Sequence, residues 1–254
     1  MGRVFETYRA FHEQGFIPIF VKDDLDTRVL LEGCLQAGMR VIEYTLRRPD
    51  AHKMIPWIRE NHPDLHLIVG STMEDDQIVA QRRREHPQLL TLGELDSIGV
   101  DGFISMLGWS LESIRQYSPT RLVVPAAWTV TEAFQEMGAG AHFIKATGAG
   151  KLERARSFRA LPTFGYCPIM MTGGIRTPEH VREAFEAGAV TVASGFDVTL
   201  QRSRDVTSSE VANAMRTFLE SAKAAREAVW PKLAEAVGGD RQVWLDALPH
   251  YHPF

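Results

Sequence analysis

The sequence predicts a single (β/α)8 barrel of the TIM-barrel class, and three observations lead there. Eight short β-like runs alternate with helix-like stretches between Phe16 and Ala193. The runs tend to exit through small or polar residues, as in Gly70-Ser71-Thr72 and Thr172-Gly173-Gly174. No composition shift marks an internal linker in the 254 residues. A strand followed by a helix must return parallel, because the return is a crossover, and eight such units close on themselves. The expected division is residues 1–204 for the barrel, with residues 205–254 supplying the final barrel helix and a C-terminal helical extension.

Taken in order, Met1 to Gly15 reads as a lead-in helix and Phe16 to Val21 as a fully apolar first strand, with Pro18 near its start. Leu25, Val29, Leu30, Cys34 and Leu35 recur at helical spacing up to the stop at Gly38. Val41 to Arg47 forms the second strand and its exit, where a period of two sends Glu43, Thr45 and Arg47 to one side. A helix from Ala51 to Asn61 leads to a strand from Leu65 to Val69, and Asp75 to Gln88 reads as the next helix. The stretch from Leu89 to Asp101 is long for a helix-to-strand turn and has room for an extra helical turn or a surface loop.

Gly102 to Ser105 opens the fourth strand, Arg121 to Val124 is the fifth and His142 to Lys145 the sixth. Between the last two, Thr129 or Thr131 caps a helix that stops at Gly138 or Gly140. A helix from Lys151 to Ala160 precedes the seventh strand, Ile169 to Met171. Thr177-Pro178-Glu179 is a helix start with a capping threonine and a proline at the first helical position, and Val190 to Ala193 is the eighth strand. Thr207-Ser208-Ser209-Glu210 matches a capping box, and Val211, Met215, Phe218, Leu219, Ala222 and Val229 are spaced to face the barrel up to Trp230-Pro231. One or two short helices and a tail follow.

Composition narrows the function classes. At 44% hydrophobic and 24% charged the chain is of ordinary globular type, and a net charge of -4 offers no basic field for nucleic acid or an anionic membrane. No window approaches the ~18 apolar residues of a membrane span, and no signal segment is evident, so the expected location is cytoplasmic. Cys34 and Cys167 lie in apolar contexts and read as reduced core residues. His142 reads as a core histidine, and His250 and His252 lack the neighbours of a metal site, so no metal is expected.

In a barrel of this class functional side chains gather at the C-terminal strand ends. Those positions hold Glu43 and Arg47 after strand two, Thr72 after strand three, Lys145 at the end of strand six, and Gly173 and Gly174 after strand seven. A lysine there ordinarily extends to water. Held in an apolar barrel it instead loses its charge and becomes a nucleophile. To react at neutral pH its pKa must fall from about 10.4 toward roughly 7 to 8, a differential of about 3 to 5 kcal/mol. The barrel interior and Arg47 push that way, and an ionised Glu43 opposes them.

Four motifs in this order, Glu43-x-Thr45-Leu46-Arg47, Gly70-x-Thr72, Phe143-x-Lys145 and Thr172-Gly173-Gly174-Ile175, resemble the bacterial keto-hydroxyglutarate/keto-deoxy-phosphogluconate aldolases over roughly residues 10–200. The resemblance implies a class I aldolase that needs no cofactor and assembles as a homotrimer; the C-terminal 50 or so residues have no counterpart in the family, and in a trimer they are placed to cover a neighbouring subunit. Lys145 would form a Schiff base with a 2-keto acid, Glu43 would be the general base, and Arg47 and Thr72 would hold the substrate carboxylate. The expected substrates are 2-keto-3-deoxygluconate, its 6-phosphate or a 4-hydroxy-2-oxoglutarate type, cleaved to pyruvate and an aldehyde.

The chain departs from the family pattern at Ala146-Thr147-Gly148-Ala149, where Phe-Phe-Pro-Ala is common, at Ser105-Met106-Leu107-Gly108 for Ser-Pro-Gly, and at Pro125-Ala126 for Pro-Gly. These departures bear on the substrate more than on the chemistry. Two other classes fit a barrel, a phosphate-binding epimerase or isomerase and a non-catalytic ligand-binding protein. A metal-dependent epimerase wants several strand-end histidines and carboxylates, whereas a non-catalytic barrel has no need of both Glu43 and Lys145. At the far end of the substrate, Thr172, Gly173, Gly174, Ser194 and Gly195 form a candidate phosphate site. Asp197 stands against it. If it points into the mouth an unphosphorylated hydroxylated substrate is expected, and if it points away the phosphate site survives.

Overall fold

The computed structural model describes residues 2–21, 24–159, 166–200 and 205–254; Met1, Ala160 and Arg204, where expected boundaries fell, lie outside them. The strands are β1 (Phe16–Phe20), β2 (Val41–Thr45), β3 (His66–Gly70), β4 (Gly102–Ile104), β5 (Leu122–Val124), β6 (Ile144–Ala146), β7 (Ile169–Thr172) and β8 (Ala189–Gly195). The helices along the first half are α1 (Gly2–Gln14), α2 (Thr27–Gln36), α3 (Ala51–Asn61), α4 (Asp76–Arg82), α5 (Leu92–Ile98) and α6 (Leu111–Tyr117). They continue with α7 (Val130–Gly138), α8 (Lys151–Arg159), α9 (Pro178–Glu186), α10 (Phe196–Thr199), α11 (Ser208–Val229), α12 (Pro231–Ala236) and α13 (Arg241–Asp246).

Every strand pairing is parallel, in the order β5-β4-β3-β2-β1-β8-β7-β6. The remaining gap closes between β5 and β6, where His142 N donates to Val123 O at 2.9 Å and Lys145 N to Pro125 O at 2.7 Å. The result is the (β/α)8 barrel with a C-terminal helical extension. Ile19, Glu43, Ile68 and Gly102 are register partners in turn, so the side chains of Ile19, Glu43 and Ile68 share the barrel interior. The alternate positions face the helices. Phe16 stacks on Phe218 of α11 at 4.7 Å and Phe20 on Tyr44 at 5.3 Å. Each such buried aromatic contributes about 1.5 to 3 kcal/mol.

Local sequence sets the helix ends. Asp26 and Asp75 accept from the first free amides of α2 and α4, and Thr91, Thr129 and Thr207 each close a capping box. The long link before β4 does contain a helix, α5, stopped by Gly99 in the left-handed region. Three expectations shift. The helix expected from Asp75 to Gln88 ends at Arg82 and passes through turns to Gln88. Between β4 and β5, α6 begins at a cap the sequence reading passed over, Ser110, whose hydroxyl accepts from Ser113 N. Strand six begins two residues later than expected, so Lys145 is its middle residue, not its last.

The base of the barrel is sealed by the chain itself. α1 touches β1, β2, β5 and β8, and its side chains reach residues at strand starts: Thr7 meets His66 Nδ1 at 2.8 Å, and Arg3 pairs with Asp101 at 2.6 Å. The C-terminal extension lies on the same end, where Trp244 and Phe254 pack against Tyr8 and Phe5. Residues past the barrel thus cover the base of their own barrel. Among the described residues no helix is long and apolar enough to cross a membrane.

Candidate active site

Lys145 is 2% exposed and Glu43 is 0% exposed, so the lysine does not extend to water. Strand alternation points both into the barrel from strands that are not neighbours, and Lys145 Nζ lies 3.8 Å from Glu43 Oε1. That separation is an ionic contact, too long for a hydrogen bond, and both Glu43 oxygens lack a hydrogen-bond partner within the protein. Buried acceptors left open in this way are exceptional in folded chains, where an unpaired group carries a penalty of about 1 to 3 kcal/mol. Burial lowers the Lys145 pKa most strongly, Glu43 raises it, Arg47 lowers it again, and the amine ends below its ordinary value.

Gly70 makes room for the carboxylate. The sequence offers a tight turn as its commoner use, but its φ is not in the left-handed region, and a Cβ there would collide with the Glu43 carboxylate. Close approach is therefore the reason for glycine at this place. The next residue, Ser71, takes a φ of 61° without being glycine, a strained conformation at the strand exit.

Above Lys145 opens a cavity of about 210 Å³. It is lined on one side by Ile19, Val21, Arg47 and Met106, and on the other by Thr147 and the exits of β7 and β8. Thr172, Gly173, Gly174, Ser194 and Gly195, expected together from five separate sequence positions, all line it, and Asp197 does too. Arg47 is exposed at the rim and also borders a second cavity of about 830 Å³ that runs past Met73, His86 and Leu89.

Thr72 does not reach the cavity wall. Its amide and hydroxyl both donate to the carbonyl of Ile104, at 3.3 and 3.1 Å, so neither donor is available to a substrate carboxylate. Its own carbonyl accepts from Ser105 Oγ at 3.0 Å, which in turn accepts from Leu107 N at 3.0 Å. The threonine thus fixes the loop that carries Met106 to the cavity. His142 is buried at the base, where Nδ1 accepts from Val123 N at 3.1 Å and burial lowers its pKa to about 3.

Two contributors escaped the sequence reading as site residues. Arg48 is buried beneath the β2 exit, donates to Leu25 O at 2.9 Å and Asp50 at 3.3 Å, and lies over the Tyr44 ring at 5.7 Å. It braces the turn that presents Arg47, and the Arg47-Arg48 doublet before Asp50 was the available signal. Thr147 stands out in the sequence only as a departure from the family pattern. Its side chain lines the cavity while its carbonyl accepts from Arg154 at 2.9 Å.

No family model matches the sequence, and no curated protein matches it. Solved structures do match in fold. A KDPG aldolase from Legionella pneumophila, with pyruvate captured as a covalent carbinolamine intermediate, is 20% identical at a TM-score of 0.65, over 83% of this chain and 96% of that one. The 2-keto-3-deoxy-6-phosphogluconate aldolase of Zymomonas mobilis with 3-phosphoglycerate is 17% identical at 0.61, over 85% and 94%. A thiamine phosphate pyrophosphorylase from Pyrococcus furiosus matches at 13% and 0.58, over 84% and 98%. At these identities what is shared is the barrel, which hosts more than one chemistry.

Proposed function

We propose that this chain is a class I aldolase of the keto-hydroxyglutarate/keto-deoxy-phosphogluconate type, cleaving a 2-keto-4-hydroxy acid to pyruvate and an aldehyde. The single observation that carries the reading is the buried Lys145–Glu43 pair, an amine of lowered pKa beside a carboxylate with no hydrogen-bond partner, beneath an open cavity. A buried ion pair kept only for stability would satisfy its remaining acceptors.

In this reading the neutral Lys145 amine attacks the C2 ketone carbon; a proton from solvent lets the carbinolamine hydroxyl leave as water, and the nitrogen lone pair closes a protonated imine. Glu43 accepts the proton of the C4 hydroxyl as the C3–C4 bond breaks. The bond's electron pair moves into the iminium to give an enamine, and the new aldehyde departs. Glu43 then returns the proton to C3, and water hydrolyses the protonated imine, releasing pyruvate, the neutral amine and the proton taken from solvent. Arg47 at the rim supplies a fork for the substrate carboxylate, and Thr72 acts as a positioning residue through the Ser105 loop.

Incubation with pyruvate and borohydride tests the reading directly. A reduced pyruvate adduct should appear on the protein and map to Lys145, and Lys145→Ala should not acquire it. A wild-type protein without added mass, or a Lys145→Ala protein with the same added mass, removes Schiff-base chemistry from this site.

A further inference from the structure

The far half of the cavity presents acceptors. Ser194 Oγ donates its proton to Ile175 O at 2.6 Å and Thr172 Oγ1 donates to Ala193 O at 3.2 Å, so both hydroxyls offer only lone pairs to a ligand. Asp197 adds a carboxylate to the same wall. The residue is exposed to solvent at the rim, and its carboxylate lies back over the end of β8: a Cβ on Gly195 would sit 2.5 Å from Asp197 Oδ1. Among the described residues no cation pairs with it in a salt bridge. Arg47 and Lys145 are the cations that line the cavity, and in the aldolase reading they are engaged with the substrate carboxylate and ketone; Lys151 lies beside Gly174, its Nζ 3.4 Å from where a Cβ there would be, and does not line the cavity.

Resting on the aldolase reading, we propose that the part of the substrate beyond C4 is an uncharged, hydroxyl-bearing chain, and that Asp197 selects it against a phosphate ester or a second carboxylate. A chain of hydroxyls is a row of donors, and each acceptor on this wall takes one. A phosphate dianion brings only acceptors, and would lie within a few ångströms of a like charge in a partly enclosed space. The amides of Gly173 and Gly174, both at positive φ, remain as donors to the hydroxyl oxygens. Of the three substrate types that the family resemblance allows, this leaves the 2-keto-3-deoxygluconate type.

The test compares kcat/KM for 2-keto-3-deoxygluconate and its 6-phosphate in wild type and Asp197→Asn. Wild type should prefer the unphosphorylated compound by about tenfold or more, and Asp197→Asn should shrink that preference by about tenfold through better use of the phosphate ester. The pyruvate-borohydride adduct should be the same in both proteins. A wild-type preference for the 6-phosphate, or an unchanged ratio in the variant, overturns the role of Asp197 while leaving the Schiff base intact. If no adduct and no cleavage occur, the aldolase reading fails separately. Calorimetric binding of gluconate and 6-phosphogluconate then decides: Asp197→Asn should tighten 6-phosphogluconate by about tenfold relative to gluconate, and equal binding changes overturn the inference.

Discussion

At the mouth of the barrel Lys145 and Glu43 are shut away from water. At its base His12, Tyr8 and His142 are shut away as completely. His12 packs between Phe143 at 4.7 Å, Trp244 at 5.6 Å and His250 at 5.0 Å, the last pair nearly parallel at 18°. Both His12 ring nitrogens lack partners, as the Glu43 oxygens do. Burial lowers the pKa of His12 at the base and of Lys145 at the mouth. Perturbation alone therefore does not mark a site. The mouth differs in having opposite charges in contact and a cavity above them, whereas the base is filled by the chain's own aromatic rings and its imidazoles stay neutral.

The sharpest break between the two ends should come from Lys145→Met, which abolishes the pyruvate adduct and all cleavage. It should also lower stability by about 3 to 5 kcal/mol, because Glu43 is left buried without its counter-charge. Adding Glu43→Gln to the same chain should recover most of that loss in a denaturant titration. A double variant no more stable than Lys145→Met would show that the two groups are not coupled.

Glu43→Gln alone should keep the fold and form the imine, yet lose cleavage by about a hundredfold to ten-thousandfold. Activity within threefold of wild type would remove Glu43 from proton transfer. Trp244→Ala acts at the other end: truncating a fully buried tryptophan should cost about 3 to 5 kcal/mol of stability, with the adduct rate of the folded protein unchanged. A matching fall in that rate at low temperature would mean that the two ends are not independent.

Acid should separate the ends further. His142 and His250 have folded pKa values lowered by burial to about 3 and about 4, and His12 is lowered too. The unfolded chain takes up these protons near pH 6.5, so their contribution to stability is complete above that pH. It is lost as pH falls from there toward 4, on the order of 2 kcal/mol for each imidazole by pH 5. Urea midpoints measured between pH 7 and 5 should fall accordingly, and Trp244→Ala, which loosens the packing around His12, should flatten the dependence. A stability independent of pH over that range would contradict neutral burial of the histidines.

The smallest expected change is Gly70→Ala. Its methyl group meets the Glu43 carboxylate, and overpacking of this kind costs about 1 to 3 kcal/mol. Cleavage should fall more than stability, since the displaced group is the proposed base. A variant as active as wild type would show that Glu43 can move aside freely.

Much of this was legible along the chain because it is written locally. The alternation of apolar runs and capped helices specifies eight parallel crossovers, and the period of two places Glu43 inside the barrel without any long-range information. The same rule brought residues from β2, β6, β7 and β8 to one end. Thr72 shows where that reasoning stops. A hydroxyl at a strand exit reads as a ligand, and only the neighbouring strand reveals that Ile104 O takes both its donors. Gly70 is similar, since a turn glycine and a glycine that admits another side chain look alike until β2 is beside β3.

The sequence by itself determined the barrel, the end at which its strand-exit side chains gather, and the set of groups offered there. Hydrophobic period, caps and strand exits are properties of neighbouring residues, and each is fixed before any distant contact forms. The tertiary structure decided the rest: the 3.8 Å approach of Lys145 to Glu43, the unpaired acceptors of that carboxylate, and the closeness of Asp197 to Gly195 at the cavity rim. Those depend on how strands far apart in sequence come into register, and on which carbonyl lies nearest each hydroxyl. Such distances set the charge state of a buried amine and the polarity of a cavity wall.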